Sequence, residues 1–303
     1  MTDIVFFGTH SNAAPILEAL ATNQGFKILF VVTQPDKPAG RDASLKASPV
    51  KIVAQKYSLP IAQPLDLQNF IAPEADLYIV CAYGVIIPSR ILNKPPHGCL
   101  NIHYSLLPKY RGPSPFQTAL INGDNVTGVT IMLLDEKMDH GPILGQIKVP
   151  VAPDDTSSSL CDKLNTAAIP LLIGLIPKWI AKQIAPEPQK HALASYCRLL
   201  TRDDGRVNWQ NTAHEIYNQF RGLTPWPGVW TTWDNQRLKL HAIQIANRPS
   251  NHPGEVQIVA ERIYIGCADF AIEVFELQPE GKRIMNARDF LSGHNNFLHA
   301  KLS

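Results

Sequence analysis

The chain carries almost no excess of charge. Its 303 residues hold 28 Lys+Arg against 26 Asp+Glu, a formal net charge of +2. The balance is local as well: residues 1–183 carry 15 basic and 14 acidic side chains, and residues 200–303 carry 11 and 11. A strong nucleic-acid binder concentrates Lys and Arg in one part or on one face, so composition excludes RNA binding as the protein's sole business and leaves only a local patch. The five cysteines (Cys81, Cys99, Cys161, Cys197, Cys267) are odd in number, scattered and free of any C-x-x-C. That pattern excludes a disulfide or zinc framework and suits small core residues. The turn "FFGTHSNAAP" holds one glycine where a dinucleotide fingerprint needs three. No H-E-x-x-H offers a zinc site, and a set made of His103, Asp139 and His140 lacks supporting ligands. No G-x-S-x-G marks a serine nucleophile. The most apolar run, "AAIPLLIGLIPKWIA", is shorter than a membrane span and interrupted by prolines. The opening "MTDIVFFGTH" has neither the basic nor the long apolar region of a signal peptide. A cytoplasmic protein, with no membrane or metal partner, is expected.

What is present describes a folded α/β chain. Hydrophobic residues make up 45% and charged ones 18%, enough to bury a sizeable core, and the length suggests about two domains. In the first half, apolar runs "DIVFF", "FKILFVVTQ", "ADLYIVCAYG", "GCLNIH" and "GVTIMLLDE" alternate with the helical patterns "NAAPILEALA", "SPVKIVAQKYSL" and "SPFQTALING". Ser11 or Asn12 is placed to cap the first helix, and Pro49 stands in the first turn of the second. Near-continuous Val/Ile/Leu strands between helices predict a doubly wound, mostly parallel, Rossmann-like sheet covered on both faces. Residues 157–183 read as one long amphipathic helix that Pro170 and Pro177 should kink or split. The Pro- and Ala-rich stretch 184–202 reads as a linker, after a first domain at 1–183. From 203 to 303, a helical pattern precedes short β-type runs separated by turns, which predicts a smaller barrel or sandwich.

Chemistry concentrates in "CLNIHYSLLPKYRG", residues 99–112. Asn101 and His103 are two apart on one strand and so face the same side, at the carboxyl end where open α/β sheets bind ligands. They offer an amide donor and a titratable imidazole together. A second segment, "LLDEKMDHGPIL", brings Asp139 just before a Gly-Pro turn, and the strand ahead of it should deliver that carboxylate to the same sheet edge. Such a trio supplies an oxyanion donor, an acid/base and an orienting charge. Without a protein nucleophile it suits direct transfer, in which the substrate itself attacks a carbonyl. Lys109, Tyr110 and Arg111 suit a solvated face or contact with an anionic group equally well. Trp226, Trp230 and Trp233 could stack on nucleotides, but packing in a small core suits at least two of them better.

"NIHYSLLPKYRGPSPFQTALINGDNVTGVTIMLLDEKMDHGPIL" resembles the core of the 10-formyltetrahydrofolate-dependent formyltransferases. "VVTQPDKPAGRDASLKASPVKIVAQKYSLPIAQP" is similar to the loop and helix of their tRNA-acting branch, and "DGRVNW", "TPWPG" and "LQPEGKRIMNARDFLSGH" resemble that branch's carboxy-terminal domain. The resemblance implies a second domain of the OB-like β-barrel type at 203–303 that binds tRNA. It implies Asn101, His103 and Asp139 as the catalytic trio, with Ser105, Leu106, Leu107 and Pro108 bordering the folate and Tyr78–Gly84 framing its pterin. Arg41 matches a loop arginine that meets the acceptor end of tRNA. The implied reaction takes the formyl group of 10-formyltetrahydrofolate, a co-substrate, to the α-amine of methionyl-initiator tRNA, in a monomer. The alternative is an acceptor that is an amino-sugar nucleotide, which the "PDKPAGR" loop argues against. In this chain Asp42, Ala43 and Ser44 replace the usual glycine and basic residues after Arg41, and "GTHSN" replaces the commoner Gly-Thr-Pro turn.

Overall fold

The computed structural model describes residues 1–39, 44–250 and 252–303. The chain forms two compact units. Residues 1–115, 126–150 and 161–198 make the first, and 116–125, 151–160 and 199–303 the second. Most of the expected linker, through Arg198, therefore belongs to the first unit.

Among the described residues the first unit has nine strands, β1 (Thr2–Gly8), β2 (Phe26–Val32), β3 (Lys37–Ala39), β4 (Ser44–Lys46), β5 (Ile61–Ala62), β6 (Leu77–Cys81), β7 (Cys99–His103), β8 (Val126–Leu133) and β9 (Ile143–Pro150). Seven make one sheet in the order β5-β2-β1-β6-β7-β8-β9, and among the described strands β3 pairs only with β4. The pairings from β5 to β7 are parallel, whereas β8 and β9 run antiparallel. The sheet is thus mixed. "GVTIMLLDE" reads like any buried strand, and apolarity carries no direction. Strand β9, "ILGQIKVP", has an exposed middle and only a weak apolar pattern, so sequence reading passes over it.

Buried Val5, Phe7, Val32, Tyr78, Val80 and Cys99 alternate along four strands and pack with Ile87, Ile91 and Leu92 under one face of the sheet. Helix α1 (Ala14–Thr22) follows a 3-10 turn at Ser11–Ala13, and its N-cap is Ala13, without a side-chain cap. Helix α2 (Pro49–Lys56) has Pro49 in its first turn and Ser48 as N-cap, accepting from the Lys51 amide at 3.0 Å. Helix α3 (Ser89–Leu92) is a single turn, and α4 (Pro115–Ile121) falls almost wholly in the second unit.

Helix α5 (Ser157–Ile180) runs without a break through Pro170 and Pro177, against the expected split. A proline in a helix interior costs about 3 kcal/mol. Burial of Leu164, Leu172, Leu175 and Ile176 along one stripe, at about 1.5–3 kcal/mol each, offsets that loss. At 24 residues α5 is long and apolar enough to cross a membrane by length and composition, contrary to the sequence reading. Its buried stripe is that of a core helix.

In the second unit, helix α6 (Ala213–Leu223) starts from a capping box in which Thr212 and Glu215 bond each other's amides. Strands β10 (Val229–Trp233), β11 (Gln236–Pro249), β12 (Val256–Val259), β13 (Arg262–Gly266), β14 (Phe270–Pro279) and β15 (Met285–Asn286) form an antiparallel sheet ordered β10-β11-β14-β13-β12, with β15 on β14. Register shifts at Leu240–Ile243 and Ala246–Pro249 bend the long β11. No pairing among the described strands joins β10 to β12, so the sheet is open rather than a closed barrel. Helix α7 (Ala287–Gly293) adds Phe290 to the core. Trp233 packs edge-on against Phe290 and Phe297, Trp230 lies beside the Arg206 and Arg237 guanidinium groups, and Trp226 is exposed.

All five thiols are free. Burial pushes Cys81, Cys99 and Cys267 up to about 12, and only a thiolate attacks a disulfide reagent. In native protein at pH 8 these three should stay unreactive toward a thiol reagent, and all five should react in guanidinium. Rapid labelling of all five in the native state would contradict this packing.

Candidate active site

Strand β7 sets the two polar side chains on one face. His103 is 5% exposed, while Asn101 is half-buried. His103 Nε2 lies 2.9 Å from the Tyr110 carbonyl oxygen. A carbonyl only accepts, so this nitrogen carries a hydrogen and donates. The other ring nitrogen, Nδ1, faces Asp139 Oδ1 at 3.5 Å. Asn101 Nδ2 reaches the same oxygen at 3.5 Å, and the Gly112 amide donates to Asp139 Oδ2 at 2.8 Å. The three residues singled out in the sequence therefore meet at one carboxylate.

They do not meet in the expected way. Strand β8 is antiparallel to β7, with Leu133 opposite Leu100 and Thr130 opposite His103. Its carboxyl end thus lies beside the beginning of β7, away from His103. Asp139 arrives instead on the loop after β8, whose ends are tied by the Leu134 amide to the Cys99 carbonyl and the Leu133 amide to the Pro142 carbonyl. Asp139 itself has φ +48°, the left-handed region that non-glycine residues occupy at a cost of about 1–3 kcal/mol and that clusters at functional sites.

The "SLLP" turn is built from within. The Ser105 hydroxyl donates to the Lys109 carbonyl at 2.5 Å, and Leu107 is buried. Leu106 and Pro108 are the half-buried members. Thr130 Oγ1 donates to the Ser105 carbonyl at 2.6 Å and accepts from the Leu107 amide at 3.1 Å, and Gln146 Nε2 bonds Thr130 Oγ1 and the Leu107 carbonyl at 2.8 and 2.9 Å. Thr130 and Gln146 escaped sequence reading because each is an uncharged polar residue without a spacing signature.

Tyr110 and Arg111 are buried, which rules out a solvated face for them. Lys109 alone is exposed, its ammonium 4.6 Å from the centre of the Tyr110 ring. Arg111 is held by the segment read as a linker: its amide donates to the Ser195 carbonyl and its carbonyl accepts from the Cys197 amide, both at 2.8 Å. His140 bonds Asp135 at 2.7 Å and stacks on His191 with centroids 4.1 Å apart. Desolvation, then His140, Arg111 and Lys137, hold the His191 pKa below the usual imidazole value.

Beside the carboxyl ends of β1, β2 and β6, Thr9 Oγ1 and Gln34 Nε2 both donate to the Tyr83 carbonyl, at 2.9 and 2.7 Å. Lys51 pairs with Asp36 at 2.6 Å, and that bond, with one from Gln63, holds the Asp36 carboxyl below its usual value. These contacts fix the base of the loop Pro35–Pro49. Arg41 lies outside the described residues.

The profile of the family described as "Formyl transferase" matches residues 2–176, and "Formyl transferase, C-terminal domain" matches residues 199–295. The chain belongs to the formyl transferase family. A methionyl-tRNA formyltransferase of Thermodesulfovibrio yellowstonii is 42% identical over 296 residues, covering 96% of this chain and 95% of that one. Another, from Halalkalibacterium halodurans, is 40% identical over 304 residues, covering 97% and 96%. Among solved structures, WlaRD, a sugar 3N-formyl transferase described in the presence of dTDP and 5-N-formyl-THF, superposes with a TM-score of 0.67 at 21% identity, covering 93% of this chain and 99% of that one. A HypX variant from Aquifex aeolicus superposes with a TM-score of 0.67 at 18% identity over 98% of this chain but only 50% of its own. At these identities the two structures speak for the formyltransferase fold alone.

Proposed function

We propose that the protein transfers the formyl group of 10-formyltetrahydrofolate to the α-amino group of methionyl-initiator tRNA, with Asn101, His103 and Asp139 as the catalytic residues. Family membership and two methionyl-tRNA formyltransferases at 40–42% identity over nearly the whole chain support the donor and the acceptor. The single observation that carries the site is the Asp139 carboxylate, met at once by Asn101, His103 and the Gly112 amide.

The substrate amine attacks the formyl carbon, and negative charge gathers on the formyl oxygen. Asn101 is the half-buried donor of the set, so its Nδ2–H meets that oxygen. His103 already donates Nε2–H to Tyr110. The ring's other nitrogen, Nδ1, stands beside Asp139 and the developing charge. Asp139 receives a proton from the attacking amine and returns it to N10 of the folate as the C–N10 bond breaks. One C–N bond forms, one breaks, and one proton crosses. Leu106 and Pro108 border the folate on this reading, Ser105 and Leu107 shape the turn beneath it, and backbone groups of residues 78–84 line the pterin.

The antiparallel second unit is the OB-like, tRNA-binding domain on this reading, and the working form is a cytoplasmic monomer, which equilibrium sedimentation tests. Arg41 would pair with a phosphate or stack on a base near the acceptor end. The test is formyl transfer with charged initiator tRNA and an amino-sugar nucleotide as parallel acceptors. Formylation of the sugar alone would overturn the acceptor. At fixed salt, Arg41→Ala is expected to lower kcat/KM for the tRNA about 10-fold or more, the worth of one charge-assisted contact, with folate affinity unchanged. An unaltered kcat/KM would remove Arg41 from recognition.

A further inference from the structure

The described part of the linker-like segment carries one side chain more deeply buried than a connector requires. Gln189 is 5% exposed. Its Nε2 donates to the Asp139 carbonyl at 2.9 Å and to the Gly141 carbonyl at 2.8 Å. Its Oε1 accepts from Arg111 Nε at 3.1 Å and Nη2 at 2.6 Å. Both donors and both lone pairs of one amide are therefore used. Arg111, 2% exposed, meets no carboxylate among the described residues; its other side-chain partners there are His191 Nδ1 at 2.9 Å and the Tyr196 hydroxyl at 3.5 Å.

The two backbones that this amide bridges are those that place the site carboxylate. One is the turn that carries Asp139 in its left-handed conformation. The other is the segment of Arg111, whose next residue, Gly112, donates its amide to Asp139 Oδ2. We infer that Gln189 is a positioning residue of the formyl-transfer reaction: its single amide holds the Asp139 turn by its donors and the Arg111–Gly112 segment by its acceptor, and so sets where the carboxylate stands. The inference rests on the reading of Asp139 as catalytic. Gln189 touches no reacting atom and acts through Asp139.

Gln189→Glu separates the two halves of this role. The oxygen facing Arg111 is kept and becomes an ion-pair partner, while the NH2 facing two carbonyl oxygens becomes a second oxygen that cannot donate. A displaced catalytic group costs up to about 100-fold even when the displacement is near 1 Å. Gln189→Glu should therefore lower kcat about 10- to 100-fold, with KM for 10-formyltetrahydrofolate and for Met-tRNA within about threefold. Placed in an Asp139→Asn background, it should lower kcat less than about twofold further, because both changes act through one group. Gln189→Met, which removes donors and acceptor without adding charge, is made alongside, and all variants are scored per mole of protein competent to bind the folate. Wild-type kcat in both Gln189 variants overturns the inference, as does a loss that multiplies in full with that of Asp139→Asn. Turnover retained in Asp139→Asn alone sinks the catalytic reading itself, whatever Gln189 does.

Discussion

Asn101→Ala or His103→Ala is expected to lower turnover about 10²–10³-fold, the usual effect of removing one donor aimed at a developing oxyanion, worth about 2.7–4 kcal/mol of barrier. Folding should survive both. Asn101 is half-buried and its side-chain bond to Asp139 is long, at 3.5 Å, so its truncation leaves little else unsatisfied. His103 is more deeply placed, and its loss removes one hydrogen bond to the Tyr110 carbonyl, a cost of about 1 kcal/mol in stability. That cost is visible as a lower Tm but does not abolish the fold. The double variant should lose less than the product of the single losses, since residues acting as one unit are non-additive. Steady-state kcat with charged initiator tRNA, beside thermal melting, separates the two effects. Near-normal turnover in either single variant, with the protein folded, would sink the assignment.

Gly112→Ala is expected to damage both stability and turnover. Gly112 has φ +120°, where an L side chain is strained, and a Cβ there would stand 2.2 Å from the Cys197 carbonyl oxygen. That oxygen is backbone, on a segment tied to Arg111 from both sides, and has little room to give. The residue must shift, and its amide with it, so Asp139 Oδ2 loses the 2.8 Å bond that anchors it. Roughly 2–4 kcal/mol of stability should disappear, and kcat should fall about 100-fold. A comparison bears on the cause: Gly281 also has positive φ, +72°, in the milder left-handed region and with open space around its would-be Cβ. Gly281→Ala should cost only about 1 kcal/mol and leave kcat unchanged. Denaturant unfolding and kcat on both variants decide the matter. Equal effects at the two glycines would show that backbone strain, not the clash with Cys197, governs Gly112.

The parts of the site that sequence reading reached were those carried by residue type. Asn101 and His103 share a strand and a parity, so their common face follows from the two-residue period of any strand. Asp139 stands out as a carboxylate before a Gly-Pro turn. Thr130, Gln146 and Gln189 are single uncharged polar residues without a spacing signature, and what makes them matter is a partner 16 to 78 residues away. Nothing local distinguishes them. Arg111 was visible as a residue but not as a buried one, because Lys109, Tyr110 and Arg111 read as a surface cluster until the Gln189 amide and the Ser195–Cys197 backbone close over the last of them.

By itself, the sequence determined where strands and helices alternate, that Asn101 and His103 face one way, that Pro49 stands in the first turn of a helix, and that no local signature for a metal, a nicotinamide or a serine nucleophile is present. Those features depend on side-chain period, backbone chemistry and local spacing, which neighbours in the chain specify. Only the tertiary structure decided the rest. It turned β8 and β9 antiparallel, carried α5 through two prolines, left the sheet of the second unit open, and brought Asp139 to His103 by a loop rather than a strand end. Each of these outcomes turns on burial and hydrogen-bond partners supplied by distant segments. An apolar run does not encode its direction, and a polar residue does not encode its partner.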